Sequence, residues 1–310
     1  MHIRILGSAA GGGFPQWNCN CTNCAAVRQG DPALTPRTQS SIAVSGDGQA
    51  WLLVNASPDI LTQVRAMPEL QPARALRDSG IAAVLLMDAQ IDHVTGLLML
   101  REHRSALPIY ATPQVLDELN TSLPLIRVLS HYAGVAAHPL SLAEPEFKVE
   151  GLVGVHFSVM ALSSNAPPFS SRRDAPLPGD NIGLVIDDSE SGKRLFYAPG
   201  LGRIEPAVAQ AMATSDVVLV DGTFWRNDEM QSLGFSHKTA ADMGHLAQSG
   251  PGGMLEVLAA LPQRTRKILI HINNTNPILR SDSPERAALT AAGIEVAWDG
   301  MVITLGGSGG

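Results

Sequence analysis

Cysteines, basic residues and long apolar runs are all scarce in this sequence. There are 22 lysines and arginines against 29 aspartates and glutamates, so the formal net charge is −7, and the isoelectric point is about 5.7. This balance repels a phosphate backbone and no basic stripe offsets it, so we expect no nucleic-acid partner. No apolar run approaches the roughly 18 residues of a membrane span, so we predict no transmembrane helix.

The amino terminus also lacks the features of a secretion signal. Its first apolar segment is too short and too weakly basic for a signal peptide, so we expect a cytoplasmic protein. Hydrophobic residues make up 45% and charged residues 16% of the 310 residues, a composition typical of a globular protein with a large core. We predict one domain over residues 1–305 and a flexible glycine–serine tail over 306–310.

The three cysteines, Cys19, Cys21 and Cys24, lie within one turn-sized segment. An odd number packed this tightly cannot form a disulfide framework. Three thiolates that follow a strand and a glycine-rich loop are instead typical of structural zinc, which takes four ligands in a closed tetrahedral site. We therefore predict bound Zn²⁺, with its fourth ligand either from elsewhere in the chain or a water. The candidates for that ligand are Asn274, His245 and His237.

The apolar pattern predicts an α/β chain in which each half begins with strands and continues with strand–loop–helix units. Segments 81–87, 217–220 and 268–270 are continuous apolar runs, typical of strands buried on both faces. Segment 163–178 is polar and rich in proline, and we predict a long exposed loop that is either a binding loop or a passive insertion. The other predicted strands are 2–6, 41–44, 50–54, 155–162, 182–187, 194–197, 295–298 and 302–305. The predicted helices are 58–67 with Ser57 as its N-cap, 94–103, 113–119, 203–213 and 287–292.

Two carboxylates and an imidazole emerge where the first apolar run ends, at Asp88, Asp92 and His93. Side chains at the carboxyl ends of buried strands face the crevice in which α/β proteins place their ligands. Asp92 alone is compatible with a helix cap, and His93 alone with an ordinary hydrogen-bonded polar residue. Because they occur together just before a predicted helix, we predict a metal site.

The other two buried runs also lead into polar residues. Asp221 and His271 each follow one of these runs, and His245 lies in a loop between them. Each residue alone is more often structural than catalytic, but strand ends in such folds converge in space. We therefore expect all three in the same cleft as candidate catalytic residues. No nucleophile elbow, Walker loop or Rossmann fingerprint lies between a strand and a helix, which disfavours the corresponding hydrolase and nucleotide-binding classes.

The segment from Asp88 to Gly96 resembles the His-x-His-x-Asp-His-x-x-Gly signature of the metallo-β-lactamase superfamily, and His271 resembles that superfamily's late strand-end histidine. The opening segment 6–17 and the three cysteines narrow the resemblance to the coenzyme pyrroloquinoline quinone (PQQ) synthesis protein B family. The resemblance implies a single αββα sandwich of the metallo-β-lactamase type. It extends along nearly the whole chain through segments 57–59, 87–96, 166–169, 243–245 and 271–277.

The chain departs from the superfamily signature in its metal ligands. Asp88 and Gln90 stand where the superfamily has its first two histidines, and segment 198–200 lacks the aspartate that bridges two metals in the hydrolases. A middle histidine is also missing near 163–165. The chain therefore lacks most of the ligands of the binuclear hydrolytic site.

What remains suits one active-site metal. The resemblance assigns Asp92, His93 and His271 as its ligands. Two imidazoles and a carboxylate with open positions suit non-haem Fe²⁺, which can bind and activate dioxygen. The lesser candidates, as further ligands, hydrogen-bond partners or substrate contacts, are Asp88, Gln90, Asp221 and His245.

The resemblance implies a role in PQQ synthesis, acting on a precursor excised from a small peptide whose glutamate and tyrosine are crosslinked. It implies iron- and oxygen-dependent hydroxylation of the tyrosine ring. Two alternatives stay open: a carrier that helps move PQQ or its precursor to the periplasm, and a metal-dependent hydrolase. Other proteins of the pathway are candidate partners, and the sequence leaves open a homodimer and the electron donor.

Overall fold

Two seven-stranded β-sheets pack face to face in the computed structural model, which describes residues 1–306. The predicted αββα sandwich is confirmed. The predicted flexible tail, apart from Gly306, lies outside the described residues. In chain order the strands are β1 (His2–Gly7), β2 (Ser41–Ser45), β3 (Trp51–Val54), β4 (Ile81–Leu85), β5 (Leu107–Ala111), β6 (Val135–Pro139), β7 (Glu146–Phe147), β8 (Val155–Ala161), β9 (Ile182–Asp188), β10 (Arg194–Ala198), β11 (Val217–Asp221), β12 (Arg266–Ile270), β13 (Ile294–Val296) and β14 (Val302–Thr304).

The two sheets have the same arrangement of antiparallel and parallel strands. The first has the order β14-β1-β2-β3-β4-β5-β6 and the second the order β13-β12-β11-β10-β9-β8-β7. Each is antiparallel on one side and parallel on the other, with β3 to β6 parallel in the first sheet and β10 to β13 parallel in the second. Because parallel strands end at the same edge, each parallel region delivers polar side chains to one side of the sandwich.

Three apolar layers hold the sheets and helices together. The central layer lies between the sheets and includes the fully buried Ile3 and Tyr197. A second layer packs helices on the outer face of one sheet, around Leu53 and Ile60, and a third does the same on the other sheet, around Val218. The helices are α1 (Thr22–Arg28), α2 (Ile60–Ala66), α3 (Ile91–Val94), α4 (Pro113–Glu118), α5 (Leu125–Leu129), α6 (Pro206–Thr214), α7 (Glu229–Ser232), α8 (Met254–Ala259) and α9 (Pro284–Ala291).

The helix predicted over 58–67 starts later than expected, at Ile60. Ser57 is not its N-cap, because its hydroxyl accepts a hydrogen bond from the Asp59 N–H and donates one to Gln63. Asp59 occupies the cap position without a side-chain hydrogen bond to the helix. The prediction was wrong because serine at this point closes a local turn before the helix begins.

The helix predicted over 94–103 is also wrong. The α-helix is the short α3, and a 3₁₀ segment, Thr95–Leu100, follows it. The backbone of Gly96 is pressed against the preceding loop, since a Cβ placed there would lie 2.1 Å from the carbonyl oxygen of Ser57. That close approach explains the glycine and accompanies the change from α to 3₁₀ geometry.

Other boundaries shift by a few residues. The predicted strand 81–87 ends at Leu85, and the helices predicted over 203–213 and 287–292 are α6 and α9, each with proline at its first position. Sequence analysis missed the strands β5, β6 and β7 and the helices α1, α5, α7 and α8. Proline interrupts the apolar run of β5, and β6 is only half-buried, so neither shows a clear period-two pattern.

Segment 163–178 has no regular helix or strand, as predicted. It is less exposed than expected, because Ala166 is fully buried and Ser170 nearly so. Within residues 1–306, no helix combines the length and apolar character required to cross a membrane.

Candidate active-site cleft and cysteine site

Polar side chains from both sheets meet in a cleft of about 350 Å³ at one edge of the sandwich. The segment after β4 provides Asp88, Asp92 and His93, and the residue after β12 provides His271. His245 reaches the same cleft from the loop before α8. The predicted convergence therefore holds for the ends of β4 and β12. Gln90 also lines the cleft, whereas Asp221, at the end of β11, is fully buried.

The ring of His93 is fixed by Asp88. Its Nδ1 lies 2.8 Å from each carboxylate oxygen of Asp88. Its Nε2 is buried, has no hydrogen-bond partner among the described residues, and lies 3.7 Å from Oδ2 of Asp92. Burial by itself lowers the pKa of His93, but the negative charges of Asp88 and Asp92 outweigh burial and raise that pKa to about 9. An unpartnered nitrogen facing a carboxylate fits a cation between them.

Asp92 connects the two sheets across the cleft. Its Oδ2 lies 3.3 Å from Nε2 of His271, a residue held in the left-handed backbone region at φ 60°. Burial tends to raise the pKa of Asp92, but positive charge on His93 and the hydrogen bond from His271 keep it well below its ordinary value. Ligand atoms of Asp92, His93 and His271 lie within 4.8 Å of one another, so one ion can contact all three.

Asp221, His245 and His271 form a second group with ligand atoms within 4.8 Å of one another. One oxygen of Asp221 accepts from Nδ1 of His245 at 2.6 Å and from the Leu201 N–H at 2.8 Å. The other accepts from the N–H and the hydroxyl of Thr223, at 2.9 and 2.6 Å. With four contacts on its two oxygens, Asp221 is better placed to orient His245 than to bind an ion.

Thr223 is a site residue that sequence analysis missed. Besides Asp221, its Oγ1 lies 2.9 Å from Nδ1 of His271, 2.9 Å from the carbonyl oxygen of His271 and 3.1 Å from Nδ1 of His245. The hydroxyl therefore joins the two imidazoles and fixes the strained His271 backbone. The only sequence signal was a threonine two residues after a strand-end aspartate, which is also common in ordinary turns.

Replacing Thr223 with valine should weaken metal binding in the cleft while keeping the fold. The loss of hydrogen bonds should cost about 1–3 kcal/mol of unfolding free energy and roughly ten- to hundredfold in affinity for the cleft metal. Anaerobic titration with Fe²⁺, in protein whose cysteine site already holds zinc, measures that affinity. Thr223→Ser keeps the hydroxyl and should bind Fe²⁺ with the affinity of the parent. Equal affinities for the valine and serine variants would refute the role of Thr223 in positioning the two histidines.

The N-terminal loop closes one side of the cleft. A Cβ added at Gly11 would lie 3.3 Å from the carboxylate of Asp92, so a side chain there would crowd the site. The loop is held by the Ala10 N–H, which donates to the carbonyl of Ile272 at 2.9 Å. Gly11 therefore lets the N-terminal loop lie close to both Asp92 and the segment after His271.

The three cysteines meet beside the loop that follows His271. Their sulfur atoms lie within 4.8 Å of one another. The side-chain nitrogen of Asn274 lies 3.0 Å from Sγ of Cys19, 3.7 Å from that of Cys21 and 3.4 Å from that of Cys24. Asn23, in α1, donates to the Asn274 carbonyl at 3.2 Å and ties the cysteine turn to the same loop.

Of the predicted fourth ligands, the structure places Asn274 at the cysteine cluster and the two histidines elsewhere. His245 belongs to the cleft group with Asp221. His237 is exposed, and no ligand group among residues 1–306 joins it to the cysteines. These two alternatives are therefore wrong, because neither loop reaches the cysteine turn.

The cysteine cluster has the chemistry of a cation site. Partial burial raises the pKa of Cys21 to about 12, and negative charge on Cys24 adds to that rise. Thiolates crowded in this way resist ionising together unless a cation compensates their charge. Because the Asn274 amide can present an oxygen as well as a nitrogen, it is able to complete a four-ligand set.

The fold and these two sites define the class of protein. The family model described as "Beta-lactamase superfamily domain" matches residues 50–272. A diphosphatase of the PhnP family has a similar structure, with a TM-score of 0.65, 17% sequence identity, and coverage of 97% of this chain and 96% of that one. At this identity, the similarity shows the shared fold alone.

The relatives with higher sequence identity all carry the name of one protein family. Coenzyme PQQ synthesis protein B of Cupriavidus taiwanensis is 66% identical over 303 residues, covering 98% of this chain and 99% of the relative. The protein of the same name from Azoarcus sp. is 61% identical over 305 residues, covering 98% and 100%. Zinc-bound PqqB from Methylobacterium extorquens is 40% identical, with a TM-score of 0.88 and coverage of 98% and 100%. The chain belongs to the coenzyme PQQ synthesis protein B family.

Proposed function

We propose that this protein takes part in PQQ synthesis by hydroxylating the tyrosine ring of a precursor derived from glutamate and tyrosine, in a reaction that requires iron and dioxygen. The observation that carries the proposal is the donor set of the cleft. Two imidazoles and one carboxylate converge, and the resemblance to the superfamily signature places Asp88 and Gln90 where the hydrolases have two histidines. Such a set suits Fe²⁺ better than a pair of zinc ions.

Asp92, His93 and His271 would hold the metal. Bound there, Fe²⁺ supplies dioxygen binding and activation. When the metal replaces the Nε2 proton of His93, Asp88 would keep accepting the Nδ1 hydrogen of the neutral ring, and Thr223 would restrain Nδ1 of His271 in the same way. His245, oriented by Asp221, lies beside these ligands with its ring stacked on His271 at a centroid distance of 5.5 Å.

The proposed reaction balances with an external reductant. A ring C–H bond is replaced by C–OH, with one oxygen atom of O₂ entering the ring and the other leaving as water. Two electrons and two protons are required, and a small-molecule two-electron donor would supply the electrons. The role of the protein is to hold the ring in the cleft and to shield it from bulk water.

We propose that the cysteine site is separate and structural. Cys19, Cys21 and Cys24 with Asn274 would hold Zn²⁺, as the zinc-bound relative from Methylobacterium extorquens suggests. A closed thiolate site offers no open position for a substrate. The zinc would instead fasten the cysteine turn to the loop that carries His271.

One reconstitution experiment separates the functional classes. The parent protein, with zinc on its cysteines, is loaded anaerobically with Fe²⁺ and mixed with a reductant and a glutamate–tyrosine dipeptide, and O₂ is then admitted. Oxygen consumption with a hydroxylated ring is the expected result. Tight binding without turnover would favour the carrier, and cleavage without oxygen consumption would favour the hydrolase; either outcome would refute the hydroxylase.

A further inference from the structure

Two cationic side chains, Arg173 and Lys238, line the cleft that holds the candidate metal ligands. Arg173 comes from loop 163–178 and is half-buried, and Lys238 comes from the segment after α7 and is exposed. They therefore approach the cleft from two separate parts of the chain. Neither was singled out by sequence analysis, because isolated basic residues in loops carry no pattern.

Neither cation lies within 4.0 Å of a carboxylate among residues 1–306, although the neighbouring arginine has three such partners. The exposed Asp242 carboxylate feels the charge of Lys238 only at longer range, and its pKa is lowered mainly by hydrogen bonds from Thr239. Arg172 contacts Asp117, Glu118 and Asp180 at 2.9–3.1 Å. The Arg173 guanidinium, by contrast, donates to the backbone carbonyl of Ala166. This contact anchors the side chain within its loop and leaves most of its donors free.

The carboxylates of the cleft cannot serve these cations, because they are engaged with imidazoles. Asp88 is bonded to His93, and Asp92 lies against His271. Asp221 is fully buried and bonded to His245. Because the carboxylates of the cleft are hydrogen-bonded to imidazoles, the positive charges of Arg173 and Lys238 can attract an anionic ligand.

We propose that Arg173 and Lys238 form a carboxylate-binding subsite that anchors the acidic groups of the substrate while its ring lies near the metal ligands. The proposal rests on the proposed function, since it names what recognises the glutamate-derived part of the precursor. A guanidinium fork matches a carboxylate with two parallel hydrogen bonds, and an ammonium group adds an adaptable point charge. Loop 163–178 is then a binding loop rather than a passive insertion.

Binding measurements test the subsite without requiring turnover. Calorimetry on the zinc- and iron-loaded protein under anaerobic conditions compares a glutamate–tyrosine dipeptide with an analogue in which every carboxyl group is an amide, so that the two ligands differ only in their carboxylate charges. The variants are Arg173→Ala, Arg173→Lys and Lys238→Ala. Arg65→Ala and Lys148→Ala are the matched controls, because each removes an exposed cation outside the cleft.

The parent should prefer the acid over the amide, and Arg173→Ala should weaken binding of the acid roughly ten- to hundredfold while leaving the amide unchanged. Lys238→Ala should have a smaller effect in the same direction, and Arg173→Lys should recover only part of the affinity. A parent without preference, or equal weakening by the controls, would overturn the subsite. Intact preference without ring hydroxylation would instead refute the hydroxylase and leave the subsite standing.

Discussion

Replacing His93 or His271 with alanine should abolish iron binding in the cleft and reduce ring hydroxylation at least about a hundredfold. Changes to groups that only orient a ligand already cost about ten- to hundredfold, and these variants remove the proposed ligands themselves. His93 contributes a buried Nε2 that has no other partner among residues 1–306, and His271 joins Asp92 to the second sheet. Iron content after anaerobic reconstitution and the rate of product formation are the two measurements.

His237→Ala is the matched control, since that histidine is exposed and belongs to neither metal group. It should retain iron, zinc and activity. Both active-site variants should also keep zinc on the cysteines and the circular dichroism spectrum of the parent. Variants that fold, keep zinc and hydroxylate at the parent rate would place the reaction elsewhere and refute the assignment of the cleft.

Replacing Cys21 with serine should remove the structural zinc and lower stability and solubility. A serine hydroxyl is a poor zinc ligand, and the remaining thiolates would be left without a full tetrahedral set. We expect the free energy of unfolding to fall by about 4 kcal/mol or more, in the range associated with the loss of a metal. Zinc content by atomic emission and the midpoint of thermal unfolding measure the two effects.

The same turn offers a matched control at Asn20, which is exposed and lies between two of the cysteines. Asn20→Ser should keep one zinc per chain and the parent melting temperature. Because Asn274 lies on the loop after His271, zinc loss should also weaken iron binding in the cleft. Unchanged zinc content in Cys21→Ser would show that the cysteines do not hold it.

The sequence was informative where an element is buried on both faces or carries a dense motif. The apolar runs of β4, β11 and β12 predicted buried strands, and the cysteine turn and strand-end polar residues are recognisable in the sequence alone. The resemblance to the superfamily then predicted that these strands belong to one αββα sandwich. Boundaries were less accurate, because local contacts such as the hydrogen bonds of Ser57 decide where a helix begins.

Parts of the site could not be predicted because they depend on distant contacts. The role of Thr223 arises only when two loops bring His245 and His271 to the same hydroxyl. The selection of Asn274 over two histidines likewise depends on which loop packs against the cysteine turn. Arg173 differs from the arginine beside it only in the carboxylates that the fold places around each.

Isotope labelling tests the central claim most directly. The zinc- and iron-loaded protein is supplied with ¹⁸O₂, a reductant and the glutamate–tyrosine dipeptide in ordinary water, and the product is analysed by mass spectrometry. The proposed hydroxylation predicts one ¹⁸O atom for each hydroxyl group added to the ring, and none in His93→Ala. A product whose new oxygen comes from water, or a dipeptide that is bound and returned unchanged, would contradict it.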